Sequence, residues 1–254
     1  MARVSSASSS PILRLLATLL LAKLAGACED EHDNCVSWAA SGECKNNPGF
    51  MKASCPKACD SCPQPLDPKL TELGEERVIV VVALGGGRTG EIELGFYPNA
   101  APVTVAHITK LFRLRCFDTN HIFRVDKGFV AQIQSVNQQS VTSPLSPECN
   151  AEAAKTVPGE FTAVPHKRGI LSMGRMSDPD SGGSSFSMLL GNAPHLDNQY
   201  TVFGKVLRGD EVLTELEKVK TKKEGIFVMP VERITITEAY VVGSERAPRH
   251  ATEL

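Results

Sequence analysis

Phe123-Arg124-Val125-Asp126-Lys127-Gly128-Phe129-Val130-Ala131-Gln132 is the stretch whose reading settles the fold. Aromatic and β-branched residues on both sides of Gly128 predict two short strands, over 122–125 and 129–133. Taken by themselves, Phe129 and Val130 read as barrel core and Arg124 as an exposed strand residue. If the first strand continues, Asp126 lies on the same side as Arg124, where it can pair with the guanidinium and compete with a ligand. Upstream, 78–82 is rich in valine and isoleucine, and in 89–96 Ile92, Leu94 and Phe96 alternate with polar or small residues. Gly85-Gly86-Gly87 joins these two strands as a hairpin turn. It does not read as a phosphate cradle, since no Lys-Ser/Thr pair or helix follows it. Pro102 opens a helix with Val105, Ile108, Leu111 and Phe112 on one face. Downstream, strands are expected at 169–173, 185–189 and 201–206. A helix carrying Val212, Leu213, Leu216 and Val219 follows, and then a last strand in which Ile234 and Ile236 alternate with polar residues. Many short strands with two isolated helices predict a mainly β barrel or sandwich with plugged ends.

Three segments carry the reading further. The opening stretch resembles the Phe-His-Arg-x-x-x-Gly-Phe-x-x-Gln signature of the cyclophilins, and Gly169-Ile170-Leu171-Ser172-Met173 resembles their Gly-x-Leu-Ser-Met strand. Leu196-Asp197, followed by Thr201-Val202-Phe203-Gly204-Lys205-Val206, is similar to their Leu-Asp and Val-Phe-Gly-x-Val segment. The resemblance spans residues 77–243 and implies an eight-stranded antiparallel barrel capped by two helices, with peptidyl-prolyl cis-trans isomerase activity.

An X-Pro bond isomerises slowly because amide resonance raises a barrier of about 18–20 kcal/mol, although the isomers differ by only ~1 kcal/mol. A catalyst that donates a hydrogen bond to the proline nitrogen as its lone pair leaves conjugation needs no metal, nucleophile or cofactor. Arginine suits this, being permanently charged and rich in rigid donors. The resemblance makes Arg124 that donor and gives Gln132 the tasks of orienting it and meeting the substrate carbonyl. It lines the ring pocket with Phe129, Val130, Leu196 and Tyr200, and lays Met173 and Gly174 along the groove for the residues preceding proline.

Departures from the pattern matter as much. Where active cyclophilins carry a second phenylalanine, this chain reads Gly183-Ser184-Ser185-Phe186-Ser187, so one wall of the pocket becomes the Ser187 hydroxyl. A lost aromatic contact is worth about 1.5–3 kcal/mol, roughly ten- to hundredfold in binding, so reduced activity is expected. His195 stands where cyclosporin-sensitive members carry tryptophan, Tyr200 where many carry histidine, and Ile133-Gln134 replaces a Gly-Gly pair. The runner-up reading is a proline-peptide binding module without useful catalysis.

The N-terminal part obeys different rules. Arg3 and Arg14 precede an apolar run at 15–22, and Ala25-Gly26-Ala27 closes it with small residues, which predicts a signal peptide over 1–27. The run is about half the ~20 residues that a membrane span needs. Of the eight cysteines, Cys28, Cys35, Cys44, Cys55, Cys59 and Cys62 crowd directly behind it. A secretory route makes disulfides the expectation, with a zinc site on Cys59, Cys62 and His32 as the alternative; six cysteines allow 15 pairings that spacing cannot separate. The pattern of these cysteines with Trp38, Gly42, Asn47-Pro48, Phe50-Met51 and Pro56 resembles the ShK-toxin-like (ShKT) domain over 28–62. That family's connectivity implies Cys28 with Cys62, Cys35 with Cys55 and Cys44 with Cys59. Channel-blocking members use a Lys-Tyr pair where this chain has Gly49 and Phe50, so a structural or adaptor role is expected. Prolines 63, 65 and 68 predict a linker over 63–76, and 244–254 reads as a tail ending Ala251-Thr252-Glu253-Leu254, whose last two residues alone match Lys-Asp-Glu-Leu. Cys116 and Cys149 either pair or stay free thiols. Lys and Arg total 27 against 29 Asp and Glu, a net charge of −2, which gives no basic patch for nucleic acid. The reading is thus a monomeric luminal or extracellular protein that acts on proline-containing peptides or proteins and lacks a membrane span after signal cleavage.

Overall fold

Eight strands close into an antiparallel barrel: β1 (Arg77–Gly85), β2 (Arg88–Phe96), β3 (His121–Asp126), β4 (Val130–Ile133), β5 (Ile170–Met173), β6 (Phe186–Leu189), β7 (Val202–Arg208) and β10 (Ile234–Val241). Two further strands, β8 (Thr221–Glu224) and β9 (Phe227–Pro230), form a separate hairpin. The structure is a computed structural model that describes residues 28–62 and 66–242. The expected signal peptide, residues 63–65 of the expected linker and the expected tail lie outside the described residues. The chain divides into two compact units between Pro65 and Leu66.

Around the barrel the strand order is β1-β10-β3-β4-β6-β5-β7-β2. The β-branched run at 78–82 forms the expected strand and alternates in burial: Val78, Val80 and Val82 face inward, opposite Leu94, Ile92 and Gly90 of β2. These side chains join Ile133, Leu171, Phe186, Met188 and Phe203 in one continuous core. Two helices pack on that core, α4 (Pro102–Arg113) through Ile108, Leu111 and Phe112, and α6 (Asp210–Leu216) through Val212, Leu213 and Leu216. Full burial of each such side chain contributes about 1.5–3 kcal/mol. A second cluster, containing Val130, Ile170, Leu189, Ala193 and Val202, lies apart from the first. Inward and outward residues therefore alternate along β4, β5 and β6, and both layers are apolar in part.

Four features depart from the sequence expectation. Val219 lies beyond the end of α6, although it still packs against the core. A third helix, α5 (Pro147–Ala153), sits between β4 and β5 where the sequence suggests no element, capped by the Ser146 hydroxyl, which accepts from the Cys149 N–H at 3.1 Å. It is anchored by a Cys116–Cys149 disulfide with a Cα separation of 5.6 Å, which resolves the open question about those cysteines. Residues 66–76, expected as linker, pack on the barrel unit. Leu70 and Leu73 cover the second cluster, and the Gly74 N–H donates to the Phe96 carbonyl at 3.0 Å. The fourth is the β8–β9 hairpin, whose polar first strand carries no apolar alternation.

In the smaller unit three short helices, α1 (Cys35–Ala40), α2 (Glu43–Asn46) and α3 (Pro48–Ser54), surround a core of only Cys35, Met51 and Cys55, with Trp38 packed against it. Three disulfides replace the missing burial: Cys28–Cys62, Cys35–Cys55 and Cys44–Cys59, with Cα separations of 5.6, 5.2 and 5.7 Å. This is the connectivity that the ShKT resemblance implies. Closing loops of this size is worth about 3 kcal/mol each in the chain-entropy account. Because Cys59 and Cys62 are bonded to other sulfurs, neither is a thiolate for the alternative zinc site.

Candidate active site

Strand register places the key polar residues in a single row across the barrel. Arg124 of β3 pairs with Gln132 of β4, Gln132 with Ser187 of β6, and Ser187 with Ser172 of β5. Side chains directly opposite one another share a face, and the flanking Ala131, Ile133, Phe186 and Met188 turn into the core. The row forms the floor of an open cleft of about 520 Å³, which Phe129, Val130, Met173, Gly174, Leu196 and Tyr200 also line. The cleft thus brings together all the expected site residues except His195. That residue is exposed and does not line the cleft, although its ring lies 5.3 Å from the Phe129 ring.

Each side chain in the row has an identifiable support. One Arg124 Nη donates to the Asp126 carboxylate at 3.1 Å, while the guanidinium carbon sits 5.2 Å from the Phe129 ring and 5.8 Å from the Phe227 ring. Its Nε is buried and has no hydrogen-bond partner among the described residues. Gln132 donates through Nε2 to the Ser185 hydroxyl at 3.2 Å, and Ser185 donates to the Ile133 carbonyl at 2.7 Å. Arg124 is therefore oriented by Asp126 and two aromatic rings, whereas the hydrogen bond from Gln132 goes to Ser185. Gly174 is required where it stands: a Cβ there would lie 2.9 Å from the Ser185 carbonyl oxygen, the acceptor of its own N–H.

A buried relay fixes the far end of the row. His166 Nδ1 lies 2.9 Å from Asp197 Oδ1, and His166 Nε2 lies 3.0 Å from the Ser172 hydroxyl. Burial pushes the imidazole pKa down, against the pull of Asp197, which favours a neutral ring. Such a ring donates from Nδ1 to the carboxylate and accepts from Ser172 at Nε2. Although the atom order is that of a hydrolytic triad, Ser172 is only 3% exposed. The relay instead ties the segment bearing Leu196 to β5. Tyr200 is held similarly, with the Arg175 guanidinium 4.4 Å from its ring centre.

Sequence reasoning missed His166, Asp197 and the opposite rim of the cleft. Phe227 of β9 packs edge-on against Phe123 at 5.4 Å, and Ile226 and Phe227 wall the cleft beyond Arg124. The Leu-Asp segment held a signal for Asp197. The hairpin's signal was Gly225, which starts its two-residue turn at φ +60°.

Comparison with known proteins places this geometry. Residues 79–241 match the family model described as cyclophilin type peptidyl-prolyl cis-trans isomerase/CLD, and residues 27–62 match the ShK domain-like family. The peptidyl-prolyl cis-trans isomerase CYP23 of Arabidopsis thaliana is 57% identical over 173 residues, covering 68% of this chain and 74% of that protein. A probable peptidyl-prolyl cis-trans isomerase of Brucella abortus is 30% identical over 153 residues, covering 59% of this chain and 78% of its own. Among solved structures, a Cryptosporidium parvum cyclophilin type isomerase determined in the presence of the dipeptide Ala-Pro superposes with a TM-score of 0.53. At 21% identity, over 65% of this chain and 98% of that one, it speaks to the fold alone.

Proposed function

Because the chain belongs to the cyclophilin-type peptidyl-prolyl cis-trans isomerases, we propose that it isomerises X-Pro bonds in proteins of the secretory pathway, with Arg124 as catalytic residue and Ser187 limiting the grip on proline. The observation that carries this reading is the row Arg124-Gln132-Ser187-Ser172 at the base of one cleft. A proline ring seated against Phe129, Val130 and Leu196 has its nitrogen within reach of the guanidinium. Only one Nη is engaged by Asp126, so the planar fork leaves Arg124 further donors to offer as the amide twists. Gln132, held by Ser185, presents its amide to the carbonyl before proline. Catalysis of this kind is differential binding, in which the hydrogen bond strengthens as the nitrogen lone pair leaves resonance.

Asp126 does not stand in the way. The Arg124–Asp126 pair is partly exposed, and such pairs are worth about 0–1 kcal/mol. A hydrogen bond to a charged group is worth about 1.5–3 kcal/mol, so the twisted amide wins the guanidinium. The secretory assignment rests on the disulfide-rich module and on the apolar leader read from the sequence; among the described residues no helix is long and apolar enough to cross a membrane. Exchange NMR on an Ala-Pro peptide tests the catalytic reading. Arg124→Ala lowers turnover by roughly ten- to hundredfold and leaves peptide affinity within a few fold. Equal turnover in wild type and variant removes the assignment, and binding without turnover in the wild type leaves a proline-peptide binding module.

A further inference from the structure

Ile226 is 83% exposed at the second position of a two-residue hairpin turn, a place where polar residues are the rule. A large β-branched side chain gains nothing there for the fold. The hairpin is nonetheless well placed: its Phe227 is packed against Phe123 and sits 5.8 Å from the Arg124 guanidinium, so the tip is fixed at the edge of the cleft. Ile226 itself lines that cleft.

The register also gives a direction. The row of site residues runs β3-β4-β6-β5, with Ser172 and the adjoining Met173-Gly174 groove at the β5 end. β9 lies at the other end, against β3. A peptide whose residues before proline lie along Met173 and Gly174 carries its next residues past Arg124 and over the hairpin. We propose that Ile226, supported by Phe227, is a specificity-determining contact for the residue following proline, and that the preferred substrates are X-Pro-Φ segments with Φ a bulky aliphatic or aromatic residue. This inference rests on the isomerase reading for where proline sits.

The test uses the full chain and two peptides that differ only after proline, Ala-Ala-Pro-Leu-Ala and Ala-Ala-Pro-Gly-Ala, with affinity from NMR titration and turnover from exchange NMR. Covering an exposed isoleucine predicts about five- to tenfold tighter binding of the Leu peptide by the wild type. In Ile226→Ser the ratio falls to within twofold. In Val231→Ser, an exposed apolar residue just past the hairpin and outside the cleft, the ratio is kept. Equal affinity of the two peptides for the wild type, or an unchanged ratio in Ile226→Ser, overturns the proposal. Preferential binding without turnover supports the contact while refuting the isomerase reading, and a failure of both peptides to bind refutes both.

Discussion

Ser187→Phe separates the contribution of the pocket wall from that of the catalytic donor. Ser187 is half-buried and stands between Gln132 and Ser172, so a ring there projects into the cleft beside Phe129 and Leu196. Complete burial of an aromatic side chain is worth about 1.5–3 kcal/mol. The position keeps part of its exposure, so closing it over a proline recovers about half of that. The gain is then about 0.75–1.5 kcal/mol, or roughly three- to twelvefold, smaller than the ten- to hundredfold that sequence reasoning alone suggests. Exchange NMR on an Ala-Pro peptide series yields kcat and KM separately, and the gain falls mainly in KM, because a better-held ring binds ground state and transition state alike. In the Arg124→Ala background the gain in the specificity constant shrinks, since the two groups act on one ring. A Ser187→Phe protein with wild-type thermal stability and an unchanged specificity constant refutes the reasoning, for it means that another side chain already closes the wall.

Removing the disulfide in Cys116→Ser/Cys149→Ser, a bridge of sequence separation 33, costs about 3–4 kcal/mol in the chain-entropy account and lowers Tm by roughly 6–16 °C in a scanning melt; a Tm within two degrees of wild type contradicts it. Burial alone would raise the pKa of Glu152, but hydrogen bonds from Lys110, Lys155 and His107 outweigh it and hold the carboxyl at about 2, below its ordinary 4.5. A depressed carboxyl contributes stability that is complete above pH ~4.5 and is lost as pH falls towards 2, so urea midpoints drop across that window less steeply in Glu152→Gln. Identical slopes in the two proteins count against the pairing.

Runs of β-branched and aromatic residues marked the barrel strands, with plain alternation only in β2 and β10, because a strand such as β5 that is buried at every position has no polar face to alternate with, and the Gly-Phe after Arg124 marked the turn that brings Arg124 and Gln132 opposite one another. The hairpin β8–β9 escaped for the complementary reason: β8 is exposed at every position, so Thr221-Lys222-Lys223-Glu224 has no pattern to show. α5 is short and leans on a disulfide and a Ser146 cap rather than on an apolar stripe. The partners of Arg124 and Gln132 follow from rotamers and register together. A sequence can raise Asp126 as a candidate, but it cannot show that Ser185, 53 residues from Gln132, takes the amide.

Together these positions shift where the cleft can obtain binding energy. The middle of the row has lost an aromatic wall at Ser187, whereas apolar side chains stand exposed at both ends, Met176 near the β5 groove and Ile226 on the hairpin. Contacts remote from the reacting bond raise kcat only when they are realised, or strengthened, in the transition state. Phe227 provides such a link, because the same ring that supports Ile226 lies against Arg124. A side chain pressed onto the hairpin by the residue after proline therefore also confines the guanidinium near the nitrogen it must reach. On the proposed reading minimal dipeptides forgo that confinement, so extended, apolar-flanked segments are expected to gain in turnover as well as in affinity, and equal gains in turnover for dipeptides and extended segments would refute it.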